Sequence, residues 1–336
     1  MKRLLYIGNK LSEHGNTTTS IETLGIFFER EGFQVYYAST QKNIFLRMLD
    51  MIWKTLCNAK KVDFVLIDTY STLNFWFAFV ISQMCRVLVV KYIAKLHGGN
   101  LPSRIKKSPL MSHMIFNNSF LNIAPSNYLF DAFQKKGYKN LVYIPNTIEI
   151  ENYTFKKREF VTPKLLWVRS FSKIYNPTMA IKVLSELKKE FPEASLCMVG
   201  PTKDESFQET VLLAKALDLE VNFTGLLTKE EWLALSNEYS IFINTTHFDN
   251  TPVSVIEAMA LGLPIVSTNV GGIPFLIQEN TNGLLVSDGN SMEMVSQIKR
   301  LINNPDLVIQ LSKNARETVE KFDWKIVKKQ WFELLK

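Results

Sequence analysis

Two carboxylates flank a helix start in Asp249-Asn250-Thr251-Pro252-Val253-Ser254-Val255-Ile256-Glu257-Ala258-Met259-Ala260-Leu261-Gly262-Leu263-Pro264. A polar loop leads straight into an apolar, helix-forming run. Pro252 suits the first helical position, where a missing N–H costs nothing. The amides that follow, from Val253 onward, have no partner inside a helix and carry its positive end, so they suit an anion such as phosphate. Glu257 falls about one turn further in, where it can accept hydrogen bonds from hydroxyls such as those of a ribose. Gly262 and Pro264 stop the helix, and Pro264-Ile265-Val266-Ser267-Thr268 reads as the next strand. A phosphate site beside a hydroxyl-reading carboxylate suits a sugar nucleotide. The bland reading of the same string is an ordinary strand–loop–helix unit.

Other candidates stand at strand ends. Arg169 closes the run Leu165–Arg169, and Lys173 follows four residues later in a polar loop. Two cations at the C-terminal end of a strand suit a diphosphate whose charge grows as a sugar leaves; Lys173 also reads as a solvated loop lysine. His97 follows the strand-like run Val87–Tyr92 and precedes Gly98-Gly99, a turn that exposes it, although a lone histidine is usually structural. Gly200 and Gly225 each end a strand and border a ligand or simply make tight turns. The loop Gly8–Gly15 follows the first strand, where the backbone at Gly15 can approach phosphate; it is not GxGxxG and lacks the acidic residue of a dinucleotide site. No Asp-x-Asp, no hydrolase triad signature, no Walker A motif and no metal-ligand spacing occurs, so no metal is expected.

The elements that must position these groups alternate from end to end. The first half reads as strands Leu4–Ile7, Gln34–Ala38, Phe64–Asp68, Val87–Tyr92, Leu121–Ala124 and Leu141–Ile144, with helices such as Thr18–Glu31, Asn74–Cys85 and Asn127–Lys136. The second half reads as strands Leu165–Arg169, Ser195–Val199, Val221–Thr224, Ile241–Asn244, Ile265–Thr268 and Leu284–Val286, with helices near 177–191, 205–217, 228–237, 252–261, 290–303 and 305–320. Strands that are apolar throughout and alternate with helices indicate parallel sheets covered on both faces. The expectation is an α/β chain of two doubly wound, Rossmann-like domains facing across a cleft, with ligands at the C-terminal strand edges. Residues 1–155 form the first domain, joined by a C-terminal helix over 322–336, and residues 160–320 form the second. The charged stretch Glu151–Pro163 reads as the linker. The segment Trp324–Leu335, rich in Trp and Lys, packs back on the first domain or touches a membrane.

The chain has 336 residues, which suits one large or two ordinary domains, and 46% of them are apolar, enough for a full core. Its net charge of +7 is uneven: residues 1–155 hold 18 Lys/Arg against 10 Asp/Glu, and residues 156–336 hold 21 against 22. The basic half suits an anionic acceptor or peripheral contact with an anionic membrane, or is a solvated surface without a partner. Scattered cations without any nucleic-acid-binding signature argue against nucleic acid. Phe75, Trp76 and Phe77 suit a lipid-linked glycan or plain core. Three separated cysteines suit a reducing compartment. No secretory signal is read at Met1-Lys2-Arg3, and the apolar run Phe75–Ile81 is too short to span a bilayer. A cytoplasmic protein is expected, peripheral at the inner membrane surface.

Five segments, in chain order, resemble the retaining glycosyltransferases of family 4, which have the GT-B fold: Gly8–Gly15, Leu96-His97-Gly98-Gly99-Asn100-Leu101-Pro102, Ala124-Pro125-Ser126 with Ile144-Pro145-Asn146, Arg169–Lys173, and Asp249–Gly272. The resemblance implies transfer of a hexose from a nucleoside-diphosphate sugar to an acceptor hydroxyl, a glycan or lipid-linked acceptor, and no separate cofactor. It implies that His97 hydrogen-bonds near the donor sugar and supports charge there. Arg169 and Lys173 match the family's Arg…Lys pair, one residue closer than usual, which leaves Tyr175 as the alternative match for the lysine. Asp249 and Glu257 match two glutamates separated by seven residues; Asp249, one methylene shorter, lies near the sugar hydroxyls and Glu257 holds the ribose. Asn250, Thr251 and Val253 contact sugar and phosphates, and Gly200 and Gly225 border the nucleobase. A role in cell-surface polysaccharide or glycolipid synthesis follows, with a sugar-nucleotide epimerase or a catalytically silent nucleotide-sugar-binding protein as alternatives.

Overall fold

The computed structural model describes residues 2–14 and 18–336. The chain forms two compact units, one running to Thr147 and including Trp324–Lys336, the other Ile148–Asp323. Gly15 lies outside the described residues.

The first unit runs β1 (Arg3–Ile7), α1 (Ser20–Arg30), β2 (Gln34–Ala38), α2 (Ile44–Asn58), β3 (Phe64–Thr69), α3 (Phe75–Val87), β4 (Tyr92–Leu96), α4 (Leu101–Lys107), α5 (Pro109–Phe116), β5 (Leu121–Ala124), α6 (Asn127–Gln134) and β6 (Leu141–Tyr143). All neighbouring strands are parallel, in the order β2-β1-β3-β4-β5-β6. Every residue of β3 and β4 is buried, as expected where helices cover both faces of a parallel sheet. The order reverses between β1 and β3, so their C-terminal ends frame the crevice where such sheets take ligands.

The second unit runs β7 (Lys164–Val168), α7 (Pro177–Lys188), β8 (Ser195–Val199), α8 (Ser206–Ala216), β9 (Asn222–Gly225), α9 (Lys229–Leu235), β10 (Ile241–Asn244), α10 (Val253–Ala260), β11 (Ile265–Thr268), α11 (Ile273–Leu276), β12 (Leu284–Val286), α12 (Ser291–Ile302) and α13 (Pro305–Glu320). Its parallel sheet has the order β12-β11-β10-β7-β8-β9, reversing between β7 and β10. A last helix, α14 (Trp324–Leu334), packs on the first unit. Trp324 stacks on Phe27 with ring centroids 5.0 Å apart, Trp331 meets Phe28 edge-on at 5.4 Å, and Lys328 Nζ donates to Glu31 at 2.8 Å.

Three local expectations need correction. The strand expected at Val87–Tyr92 is Tyr92–Leu96. Val87 ends α3 and Val89 takes a left-handed conformation, both almost fully exposed, while Lys95 inside the strand is buried. Charges at Lys91 and Lys95 made the true strand look like a loop. Pro252 is the extended residue that caps α10, and Val253 is the first helical residue. The stretch 151–163 is anchored in the second unit: Tyr153 and Val161 are buried, and Arg158 donates to the Leu261 carbonyl at 2.9 Å. Its charge disguised those anchors.

Candidate functional site

In the second unit, the residues following β7 and β10 meet at the reversal of strand order. Arg169 is the first residue after β7, and its N–H donates to Val199 O at 2.9 Å. Asp249 lies in the loop between β10 and α10. The Arg169 guanidinium forms an ion pair with Asp249, both side chains largely buried. It also lies over the Tyr175 ring, 4.2 Å from its centroid. Burial lowers the Arg169 pKa from its usual value. Its Nε has no hydrogen-bond partner among the described residues, so a buried cation keeps donor capacity in reserve. Gly200 makes this approach possible: at φ +147°, a Cβ there would overlap the Arg169 carbonyl. Gly200 N–H in turn donates to Gly225 O at 2.8 Å, which ties the two turns together.

The loop carrying Asp249 is held by the turn after β11. Gly272 N–H donates to Asp249 O at 2.9 Å, and a Cβ on Gly271 or Gly272 would overlap the Asp249 or Asn250 carbonyl. Asn250 and Thr251 are buried, and Asn250 N–H donates to Asp249 Oδ1 at 2.7 Å. Ile256 N–H, bonded to Pro252 O at 3.2 Å, opens the ladder of α10. The amides of Val253, Ser254 and Val255 precede it and form the helix's electropositive end. The buried Ser254 hydroxyl has no hydrogen-bond partner among the described residues. At the other end, Gly262 N–H bonds Met259 O at 3.1 Å and Leu263 N–H bonds Ala258 O at 3.0 Å, the paired bonds of a Schellman stop.

Glu257 projects from α10 into a prepared setting that the sequence reading missed. Tyr153 donates its hydroxyl to Glu257 Oε1 at 2.6 Å, and Lys229 Nζ lies 3.3 Å from the same oxygen. Lys229 also sits 4.8 Å from the Tyr153 ring centroid. Burial raises the Glu257 pKa, with Lys229 and Tyr153 opposing that shift. Lys173 is elsewhere. Exposed in a 3₁₀ turn, Lys173–Tyr175, it is paired with Glu205 at 2.6 Å and Glu209 at 3.6 Å. Of the two alternatives for the family lysine, Tyr175 is the one that touches Arg169.

In the first unit, His97 is the residue immediately after β4, and its N–H donates to Thr69 O at 2.8 Å. Its Nε2 lies 2.7 Å from Asp68 Oδ1 and 3.3 Å from Lys95 Nζ. Asp68 Oδ1 also accepts from the Tyr6 hydroxyl at 3.1 Å, and Lys95 Nζ donates to Ser20 Oγ at 2.7 Å. The Tyr70 ring stacks on the imidazole at 4.8 Å. Burial lowers the His97 pKa, with Asp68 opposing, and brings Lys95 down to about 8. Asp68 Oδ2 is buried with no hydrogen-bond partner among the described residues. Asp68, Lys95 and Tyr70 were not named from the sequence. A charged residue closing the apolar run Phe64-Val65-Leu66-Ile67 at a ligand-bearing strand end was the signal for Asp68. Among the described residues no group of three His, Cys, Asp or Glu is placed to hold a metal ion.

Two doubly wound units of parallel strands, with the second unit's charged groups at its strand-order reversal, define a GT-B protein. Residues 150–318, half of the chain, match the family described as glycosyl transferases group 1, and the chain belongs to that family. An uncharacterised glycosyltransferase of Haemophilus influenzae is 36% identical over 154 residues, covering 45% of this chain and 42% of that protein. The sulfoquinovosyl transferase SQD2 of Arabidopsis thaliana is 30% identical over 152 residues, covering 44% of this chain and 28% of that protein. The match thus spans less than half the length of these curated relatives. The fold is shared with sucrose-phosphate synthase from Thermosynechococcus elongatus (TM-score 0.83, 14% identity, 99% of this chain and 98% of that one). It is also shared with Anabaena HepE in complex with UDP-glucose (TM-score 0.78, 18% identity, 100% and 99%).

Proposed function

We propose that this chain is a retaining glycosyltransferase that moves a hexose from a nucleoside-diphosphate sugar to an acceptor hydroxyl, in cell-surface polysaccharide or glycolipid synthesis. The observation that carries the reading is the buried Arg169 guanidinium at the reversal of the second sheet, its Nε without a hydrogen-bond partner among the described residues. The first amides of α10, which Pro252 does not cap with a side chain, lie in the same unit, and Glu257 stands one turn into that helix. This combination suits a donor diphosphate beside a ribose. The HepE complex with UDP-glucose supports a nucleotide-sugar donor on this fold.

In this account Arg169 and the α10 amides stabilise the charge that develops on the diphosphate, with no metal ion required. Glu257 accepts the ribose hydroxyls, and Asp249, Asn250, Thr251 and Val253 contact sugar and phosphates. Gly200 and Gly225 border the base. His97, of the first unit, hydrogen-bonds the transferring sugar. As the C1–O bond to the diphosphate breaks, the acceptor oxygen bonds C1 on the same face. The acceptor's proton passes to a diphosphate oxygen. The first unit takes a glycan or lipid-linked acceptor, and its basic excess favours peripheral contact with an anionic inner membrane surface.

A thermal-shift screen of UDP-, GDP- and ADP-sugars, followed by assay of nucleoside diphosphate release with and without acceptor, tests the reading. Acceptor-dependent release supports transfer. Donor binding without transfer or hydrolysis leaves a silent binding protein, and acceptor-independent conversion to an isomeric sugar nucleotide leaves an epimerase.

A further inference from the structure

Helix α2 is apolar on two opposite sides. One side packs into the first unit through the buried Met51 and Thr55, with Arg47 donating to Gln41 O at 2.8 Å and Lys42 O at 2.8 Å. The other side presents Phe45, Leu46, Leu49, Trp53 and Leu56, which are 78%, 53%, 61%, 66% and 52% exposed. At 3.6 residues per turn these five side chains fall within an arc of about 100°. Single exposed apolar residues are ordinary, but a continuous aromatic and leucine stripe marks an interaction surface.

The charges around the stripe indicate what covers it. Of the five Lys/Arg in residues 42–61, Arg47 is buried on the packed side and Lys54 pairs with Asp50, the single acidic residue, at 3.5 Å, which leaves three lysines. Exposed Lys42 stands just before the helix, and exposed Lys60 and Lys61 just after it. A second copy docking here by two-fold symmetry would bring this cationic frame against itself. An anionic bilayer meets both halves of the surface at once: acyl chains take the apolar stripe and phosphate headgroups take the ammonium groups. α2 has 15 residues, and no described helix is long and apolar enough to cross a membrane, so α2 would lie in the interface plane.

We propose that α2 is the membrane-binding element of this chain, with Phe45, Leu46, Leu49, Trp53 and Leu56 entering the headgroup–acyl boundary of an anionic bilayer and Lys42, Lys60 and Lys61 contacting lipid phosphates. The inference rests on the membrane contact proposed above and is independent of the transferase reading. The test is flotation of the full chain with phosphatidylglycerol-containing vesicles and with neutral phosphatidylcholine vesicles. A parallel thermal-shift measurement uses the nucleoside diphosphates.

The wild type should float with anionic vesicles at low ionic strength and be released by salt. A Phe45→Ser/Leu49→Ser/Trp53→Ser variant should lose at least tenfold in vesicle affinity, with its circular dichroism and its nucleotide-induced thermal shift unchanged. A Lys60→Glu/Lys61→Glu variant should lose binding at low salt. The proposal is overturned if the wild type does not float, if the triple variant floats equally well, or if neutral vesicles capture the protein as strongly. A wild-type dimer that the triple variant dissociates would make a second copy the occupant and also overturn it. A missing nucleotide shift in the wild type speaks against the donor site alone.

Discussion

Tyr153 and Glu257 lie 104 residues apart in sequence, yet the tyrosine hydroxyl donates to Glu257 Oε1 at 2.6 Å. Lys229 meets the same oxygen, so both partners act on Oε1 of the carboxylate. A buried carboxylate held in this way is oriented before any hydroxyl arrives. Tyr153→Phe keeps the ring beneath Lys229 and removes only the hydrogen bond. KM for the donor should rise about tenfold, ~1.4 kcal/mol, with kcat little changed. Steady-state kinetics against donor concentration checks this, and an unaltered KM would show that Tyr153 does not position Glu257.

Arg169 is tied to Asp249 and stacked on Tyr175, and its charge is largely withdrawn from water. Arg169→Ala should lower kcat by about 10²–10³-fold without unfolding the protein. Arg169→Lys should rescue little, because an ammonium cannot reproduce the planar fork and ring stacking. Turnover and circular dichroism of both variants decide the matter; near wild-type turnover in Arg169→Ala would remove the assignment.

Lys95 gives the first unit a distinct pH signature. Burial depresses its pKa from 10.5 to about 8 in the folded chain. Between these values the unfolded chain binds more protons, so unfolding free energy rises with pH across that window. The contribution is complete above about 10.5 and is lost as pH falls through about 8. Chemical denaturation of the wild type and Lys95→Met should therefore diverge from pH 8 to 10.5 by about 3 kcal/mol. Parallel pH profiles would show that Lys95 titrates as a solvated lysine.

In the proposed mechanism Arg169 and the α10 amides take the place of a divalent cation in stabilising the leaving diphosphate. Transfer activity should survive EDTA undiminished, measured as nucleoside diphosphate release. Loss of activity that Mn²⁺ restores would replace this part of the account.

The features legible in the sequence were local. The helix from Val253 to Ala260 announced itself because cap, apolar run, glycine stop and following strand lie within about twenty residues of chain. Arg169 and His97 were visible as polar residues closing apolar runs at strand ends, even with β4 placed five residues early. What escaped was long-range. Tyr153 and Lys229 reach Glu257 from separate elements, and no spacing rule links them. Lys95 inside a buried strand contradicts the hydrophobic pattern and is tolerated because Ser20 accepts its hydrogen bond while Asp68 favours its charge. Departures from pattern of this kind concentrate where a fold carries function.

The central claim, that the second unit receives a nucleoside diphosphate against Arg169 and the start of α10, is tested most directly by calorimetric titration of UDP, GDP and ADP into the wild type and Arg169→Ala. The account predicts saturable binding of at least one nucleotide to the wild type and at least tenfold weaker binding to the variant. No binding by any of the three, or equal affinity in the two proteins, would contradict it.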